Sequence, residues 1–330
     1  MKTAMRALTP LALLGLLAAA IAGCAAPSQY PNKPIELVVP YAPGGGTDNM
    51  YRAIVKAIEE EKLSPVPINV VNKSGGGGAT GKNYARTKPA DGYTLVAVDT
   101  GNVTQQLLGE ADWDYKKDFT YVAKMVDDVN LIIVKADSPF KTLKDLVDKA
   151  KQKEKSVSMA GTGAGGNTDA IAASNFDRIL GVKINYVPYA SGGEVMTNLL
   201  GGHVDAAWAN PNECIAQLEA KQVRALAVAD VKRVADLPDI PTVKEAVGTD
   251  VVSTQWRAVG GPPNLPKEVV DWWVKTLDKV RKNKNWQENY MKKQVLADGW
   301  ATGDDFVKVV DREYAFYKDV FAQMGLLKEK

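Results

Sequence analysis

Three stretches of this chain share one construction: an apolar run, a glycine-rich loop that carries Ser, Thr or Asn, and then the start of a helix. They occupy residues 37–48, 157–168 and 186–193, and a fourth glycine run, 75–78, follows the apolar stretch 68–71. Glycine lets the backbone approach a ligand closely, and the unpaired N–H groups of a helix N-terminus attract anions. We therefore expect several of these loops to surround one negatively charged ligand.

Strand and helix patterns alternate along most of the chain. Apolar runs predict strands at residues 35–40, 68–71, 93–98 and 130–134. Apolar residues at helical spacing predict helices at residues 48–61, 266–281 and 304–324, and a further helix that contains Leu143, Leu146, Val147 and Ala150. This alternation predicts α/β layers with mostly parallel sheets. A length of 330 residues exceeds a typical single core, so we expect two domains.

The N-terminus has the pattern of an export signal. Lys2 and Arg6 precede the apolar segment 8–22, which is too short for a typical transmembrane helix. We therefore predict that residues 1–23 form a signal peptide. The mature protein is then extracytoplasmic, in the periplasm or at the cell surface.

The end of this signal, Ile21-Ala22-Gly23-Cys24, resembles a bacterial lipobox. Cys24 would then be lipidated and become the first mature residue, followed by a short tether over residues 24–30. Two or more acyl chains are enough to anchor a protein stably to a membrane. The alternative is ordinary cleavage after Ala22, because the residues at that point also satisfy the small-residue rule.

Composition argues against several classes of function. Cys214 is the only cysteine besides Cys24, so we expect no intramolecular structural disulfide and a buried, apolar role for Cys214. A single histidine, His203, argues against a zinc site, and we interpret His203 and Asp205 as part of a structural turn. The net charge of +2 falls to about zero without the signal peptide, which argues against a nucleic-acid partner. We expect no metal and no cofactor.

Two stretches resemble nucleotide-binding loops without completing the pattern. Residues 161–166 fit G-x-G-x-x-G, but the next predicted strand, 183–188, does not end in the acid that would hold a ribose. Residues 76–83 nearly match a P-loop, but Asn83 replaces the hydroxyl residue that would hold Mg²⁺. We interpret both as ligand loops of another kind, with Lys82 in solvent.

Six stretches together resemble one known family over nearly the whole mature length, the extracytoplasmic solute receptors of tripartite tricarboxylate transporters, also called Bug proteins. The matching stretches are residues 30–35, 39–48, 90–95, 187–189, 199–205 and 237–242. The resemblance implies an α/β, type II periplasmic-binding-protein fold, in which two lobes are joined by two crossing strands with the ligand in the cleft between them. We expect the crossings near Val134-Lys135 and Gln255-Trp256-Arg257. Lobe 1 would then comprise residues 31–134 and 257–330, and lobe 2 residues 135–256.

The resemblance also implies the residues of the binding site. In family members the loop that matches residues 43–48, and its counterparts, hold a carboxylate largely through backbone groups and waters. The ligand contacts carried over in this way are Tyr41, Gly45, Gly46, Thr47, Gly78, Thr80, Thr100, Asn102, Thr162, Gly163, Asn167, Tyr189, Ser191 and Asn210. Residues 165–171, 189–194 and 210–213 look more like the tricarboxylate-receptor branch, so a citrate-like ligand is expected. Asp169 and Glu194 leave a ligand with an ammonium or hydroxyl group open.

The expected function is capture of a small di- or tricarboxylate without chemistry. The resemblance implies a monomer that passes its ligand to the membrane components of a tripartite tricarboxylate transporter. Two alternatives remain open. The same cleft would serve a receptor that feeds a sensor kinase, and a two-lobed cleft would also suit an exported enzyme with a nucleophile–base pair.

Overall fold

The computed structural model describes residues 30–162, 168–189 and 191–328. The predicted signal peptide, the lipidation at Cys24 and the expected ligand residues Gly163 and Asn167 lie outside these residues. Within the described ranges, every helix is too short or too polar to cross a membrane.

Strands and helices alternate in the described chain. The strands are β1 Ile35–Val39, β2 Ile68–Asn72, β3 Thr94–Asp99, β4 Thr120–Val129, β5 Leu131–Lys135, β6 Ser158–Thr162, β7 Asn185–Tyr189, β8 Ala206–Ala209, β9 Val223–Val228, β10 Thr254–Gly261 and β11 Ala297–Thr302. The α-helices are α1 Gly46–Glu60, α2 Ala79–Arg86, α3 Gly101–Leu107, α4 Leu143–Gln152, α5 Thr168–Leu180, α6 Gly192–Leu200, α7 Pro211–Glu219, α8 Val243–Val247, α9 Lys267–Lys282, α10 Lys292–Gln294 and α11 Gly303–Met324. The predicted strands and helices are present with small shifts at their ends, whereas β4, β9 and β11 were not predicted.

The strands form two mixed sheets, in the orders β11-β4-β10-β3-β1-β2 and β7-β6-β8-β5-β9. In the first sheet β1 is parallel to β2 and β3, but β10 lies between β3 and β4 and is antiparallel to both. In the second sheet β6 is parallel to β7 and β8, while β5 is antiparallel to β8 and β9. The expectation of mostly parallel sheets was therefore wrong. The strands that carry the chain from one sheet to the other and back are β4, β5 and β10. Each of them is antiparallel to its neighbours in the sheet.

Each sheet has a hydrophobic core on both faces. In β5, Ile132 and Val134 pack with α4 and α5 residues on one face, while Leu131 and Ile133 pack with α6 residues on the other. All four side chains are fully buried. A strand covered on both faces is a continuous apolar run, because successive side chains point to opposite faces.

The chain changes sheet at two adjacent points. β4 ends at Val129 and β5 begins at Leu131, so the first change falls at Asn130, and Thr254 of β10 pairs with Val129. The Asn130 N–H donates to the carbonyl of Ser253 at 3.1 Å, which joins the two crossings. Residues 131–134 thus belong to the second sheet, although they were expected in lobe 1. Residues 254–256 belong to the first sheet, although they were expected in lobe 2. The apolar run alone could not show this, because a central strand has the same pattern in either sheet.

Val134→Ala tests whether β5 is a fully buried strand. The fully buried Val134 loses two methyl groups and leaves a cavity, so the free energy of unfolding should fall by about 1.5–3 kcal/mol. Val231, which is 63% exposed, provides the matched control, and Val231→Ala should change stability by less than about 0.5 kcal/mol. Equilibrium urea unfolding measures both variants, and equal effects would contradict the burial of β5.

Candidate ligand-binding cleft

A polar cavity of about 590 Å³ opens beside the carboxyl ends of β1 and β3. Ligands of open α/β sheets commonly bind at such strand ends. Its walls are formed by Tyr41, Gly45, Gly46, Thr47, Gly77, Asp99, Thr100, Gly101, Thr104, Gln105, Leu108, Glu110, Thr168, Gln255, Trp256 and Arg257. Most of these residues come from the first sheet and its helices, and Thr168 comes from the start of α5 beside the second sheet.

The first glycine loop presents the N-terminus of α1 to this cavity. Gly45 is the N-cap residue, in an extended conformation, and no side chain of the described residues caps the helix. The first-turn N–H groups of a helix lack intrahelical partners. Because Gly45, Gly46 and Thr47 all line the cavity, these donors lie at its wall.

Asp48 stabilises this loop through hydrogen bonds and is not among the residues that line the cavity. Its buried carboxylate accepts hydrogen bonds from the Gly44 N–H and Arg52 Nε at 2.8 Å each and from Asn72 Nδ2 at 2.9 Å. Burial alone would raise the pKa of Asp48, but the hydrogen bonds from Arg52, Gly44 and Asn72 hold it below its ordinary value. Asp48 therefore stays ionised and fixes the loop.

The second glycine loop requires glycine at every position. Gly75, Gly76, Gly77 and Gly78 have φ values of 139°, 54°, 62° and 102°. Gln105 Nε2 donates to the Gly77 carbonyl at 2.7 Å and holds the loop against α3. Gly77 lines the cavity, whereas the expected contacts Gly78 and Thr80 lie beside it, and their ligand contacts stay predictions.

Lys82 is buried in the first lobe, so the prediction that it lies in solvent was wrong. Its Nζ donates to Asp99 Oδ1 at 2.7 Å, and the Tyr41 hydroxyl donates to Asp99 Oδ2 at 2.7 Å. The Gly101 N–H donates to Oδ1 at 2.8 Å. An ion pair forms because Asp99, at the end of β3, would otherwise be a buried charge without compensation. It also leaves Lys82 unable to act as a P-loop lysine would.

Tyr41 remains a neutral phenol at the cavity wall. Burial, and then the neighbouring Asp99 carboxylate, raise the pKa of Tyr41 well above its usual range. Its hydroxyl proton is donated to Asp99, and its expected ligand contact stays a prediction.

Thr100 and Asn102, two expected ligand contacts, follow β3, but Asn102 does not line the cavity. Thr100 lines the cavity, and its Oγ1 donates to Glu313 Oε1 of α11 at 3.0 Å. Burial raises the pKa of Glu313 to about 8, although hydrogen bonds from Trp256 and Thr100 oppose the shift. Asn102 lies behind the wall, fully buried, where its Oδ1 accepts the Asp99 N–H at 3.1 Å.

Arg257 supplies a cation that the sequence interpretation did not assign to the site. Its guanidinium lies directly against α1, since a Cβ placed on Gly46 would be 2.7 Å from Nη2. Nη2 donates to Asp128 Oδ2, and the side chain is 13% exposed. The available signal was an arginine within the otherwise apolar stretch 256–261.

The expected residues of the second lobe bind partners within the protein. Asp169 Oδ2 accepts the Thr162 N–H and hydroxyl, each at 2.8 Å, and Ser191 Oγ accepts a backbone N–H at the start of α6 at 3.3 Å. Asn210 Nδ2 donates to Asp128 Oδ1 at 3.1 Å. Tyr189 ends β7. The four expected contacts Thr162, Tyr189, Ser191 and Asn210 are not among the lining residues of the cavity. Their ligand contacts stay predictions.

Other residues weighed from the sequence have structural roles. Cys214 is fully buried, and burial raises the pKa of its thiol to about 12, which confirms the apolar role. Asp205 accepts the N–H and hydroxyl of Ser158 at 2.7 Å each, as expected for a structural turn. Over residues 30–162, 168–189 and 191–328, no cluster of three His, Cys, Asp or Glu residues could hold a metal ion.

Residues 50–326 match the family model of the tripartite tricarboxylate transporter family receptor, TctC. The chain is 31% identical to protein BugT of Bordetella pertussis over 271 residues, which covers 79% of this chain and 80% of BugT. A TctC solute-binding protein from Polaromonas is similar in structure, with a TM-score of 0.79, 30% identity and coverage of 89% and 99% of the two chains. An R. palustris protein solved with adipate has a TM-score of 0.73 and 27% identity, with 90% and 98% covered.

These similarities confirm the predicted two-lobed fold of periplasmic binding proteins. They also place the chain among solute-binding receptors and not among enzymes. The chain belongs to the TctC family of extracytoplasmic receptors of tripartite tricarboxylate transporters.

Proposed function

We propose that this receptor captures a di- or tricarboxylate, with citrate as the first candidate, and delivers it to the membrane components of a tripartite tricarboxylate transporter. The observation that carries the proposal is the meeting of the α1 N-terminus and the Arg257 guanidinium at one cavity wall. Both groups favour a negative ligand. The similar R. palustris protein was solved with adipate, a dicarboxylate, which supports this ligand class.

A few charge-assisted hydrogen bonds from the cavity wall would give useful affinity. Micromolar binding requires about 8 kcal/mol. A hydrogen bond to a charged group contributes roughly 1.5–3 kcal/mol, so four to six such bonds suffice after the costs of ordering and desolvation. Capture of this kind needs no general base.

Closure of the cleft would complete the site. The cavity wall comes mostly from the first lobe, with Thr168 as a contribution from the second. A ligand that contacts both lobes favours the closed state by its extra contacts in that state. Thr162, Tyr189, Ser191 and Asn210 are the residues that we expect to gain ligand contacts on closure. The closed receptor then docks on the membrane components.

The anchor belongs to the same proposal. A receptor that acts on membrane components gains from being held at the membrane, and lipidation at Cys24 provides this for a monomer. Mass spectrometry of the mature N-terminus tests the anchor, since a lipoprotein starts with a diacylated Cys24. An unmodified N-terminus before Cys24 would exclude it.

A thermal-shift screen of the mature protein tests the ligand class. Citrate, adipate and other di- and tricarboxylates should raise the melting temperature by several degrees, because a ligand at 100 times its Kd stabilises the folded state by about 2.7 kcal/mol. Monocarboxylates and neutral amino acids of similar size provide the comparison. If no carboxylate stabilises the protein at millimolar concentration, the proposed function is wrong.

Gly45→Val tests the first loop. Gly45 has φ −74° and ψ 168°, which valine tolerates, and a Cβ there meets only the Ala42 carbonyl oxygen at 3.5 Å. The added side chain should obstruct the α1 N-terminus and weaken binding about 10-fold or more, the equivalent of one lost charge-assisted hydrogen bond. Isothermal titration calorimetry measures the affinity, and urea unfolding without ligand serves as the control for folding. Unchanged affinity would remove this loop from the site.

A further inference from the structure

Asp128 lies where the cavity, the two crossing strands and the second lobe meet. It is 1% exposed and is the penultimate residue of β4, just before the change of sheet at Asn130. One carboxylate oxygen accepts from Arg257 Nη2 on the other crossing strand. The second oxygen accepts from Asn210 Nδ2, which comes from the second lobe, at 3.1 Å.

This chain of contacts fixes the direction of one guanidinium. A guanidinium carries five N–H donors in a rigid plane, so the bond to Asp128 at Nη2 and the neighbouring Tyr290 hydroxyl hold the plane while other donors remain for a ligand. The plane lies against Gly46, where any larger residue would collide with it, because a Cβ would be 2.8 Å from Cζ. The positive end of the α1 dipole and a fixed cation therefore lie side by side.

We propose that Arg257, positioned by Asp128, is the specificity-determining cation of the cleft. It binds a ligand carboxylate together with the first turn of α1, and it makes negative charge a requirement at this end of the cavity. Asp128 is a positioning residue that acts through Arg257, and Asn210 donates a hydrogen bond to it. The inference rests on the proposed function, because it takes the ligand to be a carboxylate.

Asp99 and Asp48, near the same wall, are paired with groups other than Arg257. Asp99 at the same wall is paired with Lys82 and also accepts from Tyr41 and Gly101. Asp48 is occupied by Arg52, Asn72 and the loop backbone. Asp128 pairs with the buried Arg257, so none of these three aspartates presents an unpaired carboxylate to a ligand anion, although Glu110 also lines the cavity.

The test compares Arg257→Gln, Arg257→Lys and Asp128→Asn with the wild type, using the carboxylates that stabilise the wild type. Isothermal titration calorimetry over a series of salt concentrations gives Kd and its salt dependence. Arg257→Gln should raise Kd roughly 10- to 100-fold and flatten the salt dependence, because a charge-assisted contact is lost. Arg257→Lys should restore part of both, since it keeps the charge but not the planar fork.

The double variant Asp128→Asn/Arg257→Gln separates positioning from folding. Arg257→Gln alone leaves Asp128 buried without its cation, which the double variant avoids. If Asp128 acts only through Arg257, the double variant should bind no more weakly than Arg257→Gln, so the two effects are not additive. Additive losses would overturn the positioning role of Asp128.

Arg281→Gln is the matched control. Arg281 pairs with Asp278 on α9, outside the cavity lining, so this variant should keep the wild-type Kd and salt dependence. If the wild type binds a carboxylate and Arg257→Gln binds it with the same Kd and salt dependence, this inference is overturned and the proposed function stays intact. Failure of the wild type to bind any carboxylate would overturn the proposed function and this inference together.

Discussion

The cleft depends on how its buried aspartates are satisfied. A buried carboxylate is costly unless donors surround it, and an unpaired one beside the cavity would repel an anionic ligand. Asp48, Asp99 and Asp128 each accept two or more hydrogen bonds from the protein itself. Their oxygens are thereby occupied, and the first turn of α1 and the Arg257 guanidinium remain as donors at the cavity wall.

The same hydrogen bonds connect parts of the chain that are far apart in sequence. Asp99 joins the glycine loop after β1, through Tyr41, to α2, through Lys82. Asp128 joins both crossing strands to the second lobe, through Arg257 and Asn210. Asp99 and Asp128 each stand at or near a strand end, where the chain leaves the sheet and a loop must be held. Satisfying the carboxylates and fixing the loops of the cleft are therefore one structural requirement.

This arrangement also explains why the P-loop-like pattern at residues 76–83 does not signify nucleotide binding. In a P-loop the lysine contacts phosphates, whereas Lys82 is withdrawn into the first lobe by Asp99. The glycine run before it has four consecutive positive φ values and contributes Gly77 to the wall. Glycine spacing identifies a loop that approaches a ligand, but the partners of the neighbouring side chains decide which ligand that is.

The sequence by itself determined the local features: the amphipathic helices, the apolar central strands and the glycine loops that bring helix N-termini to one side of a sheet. These follow from periodicity and from backbone freedom, which depend on residues close together in the chain. It also carried the family resemblance. Only the tertiary structure decided the mixed strand order, the change of sheet at Asn130, the burial of Lys82 and the contact of Arg257 with the first turn of α1. Those depend on strand pairing and charge compensation between distant segments, and the pattern of an apolar strand or a single charged residue is the same whichever partner it meets.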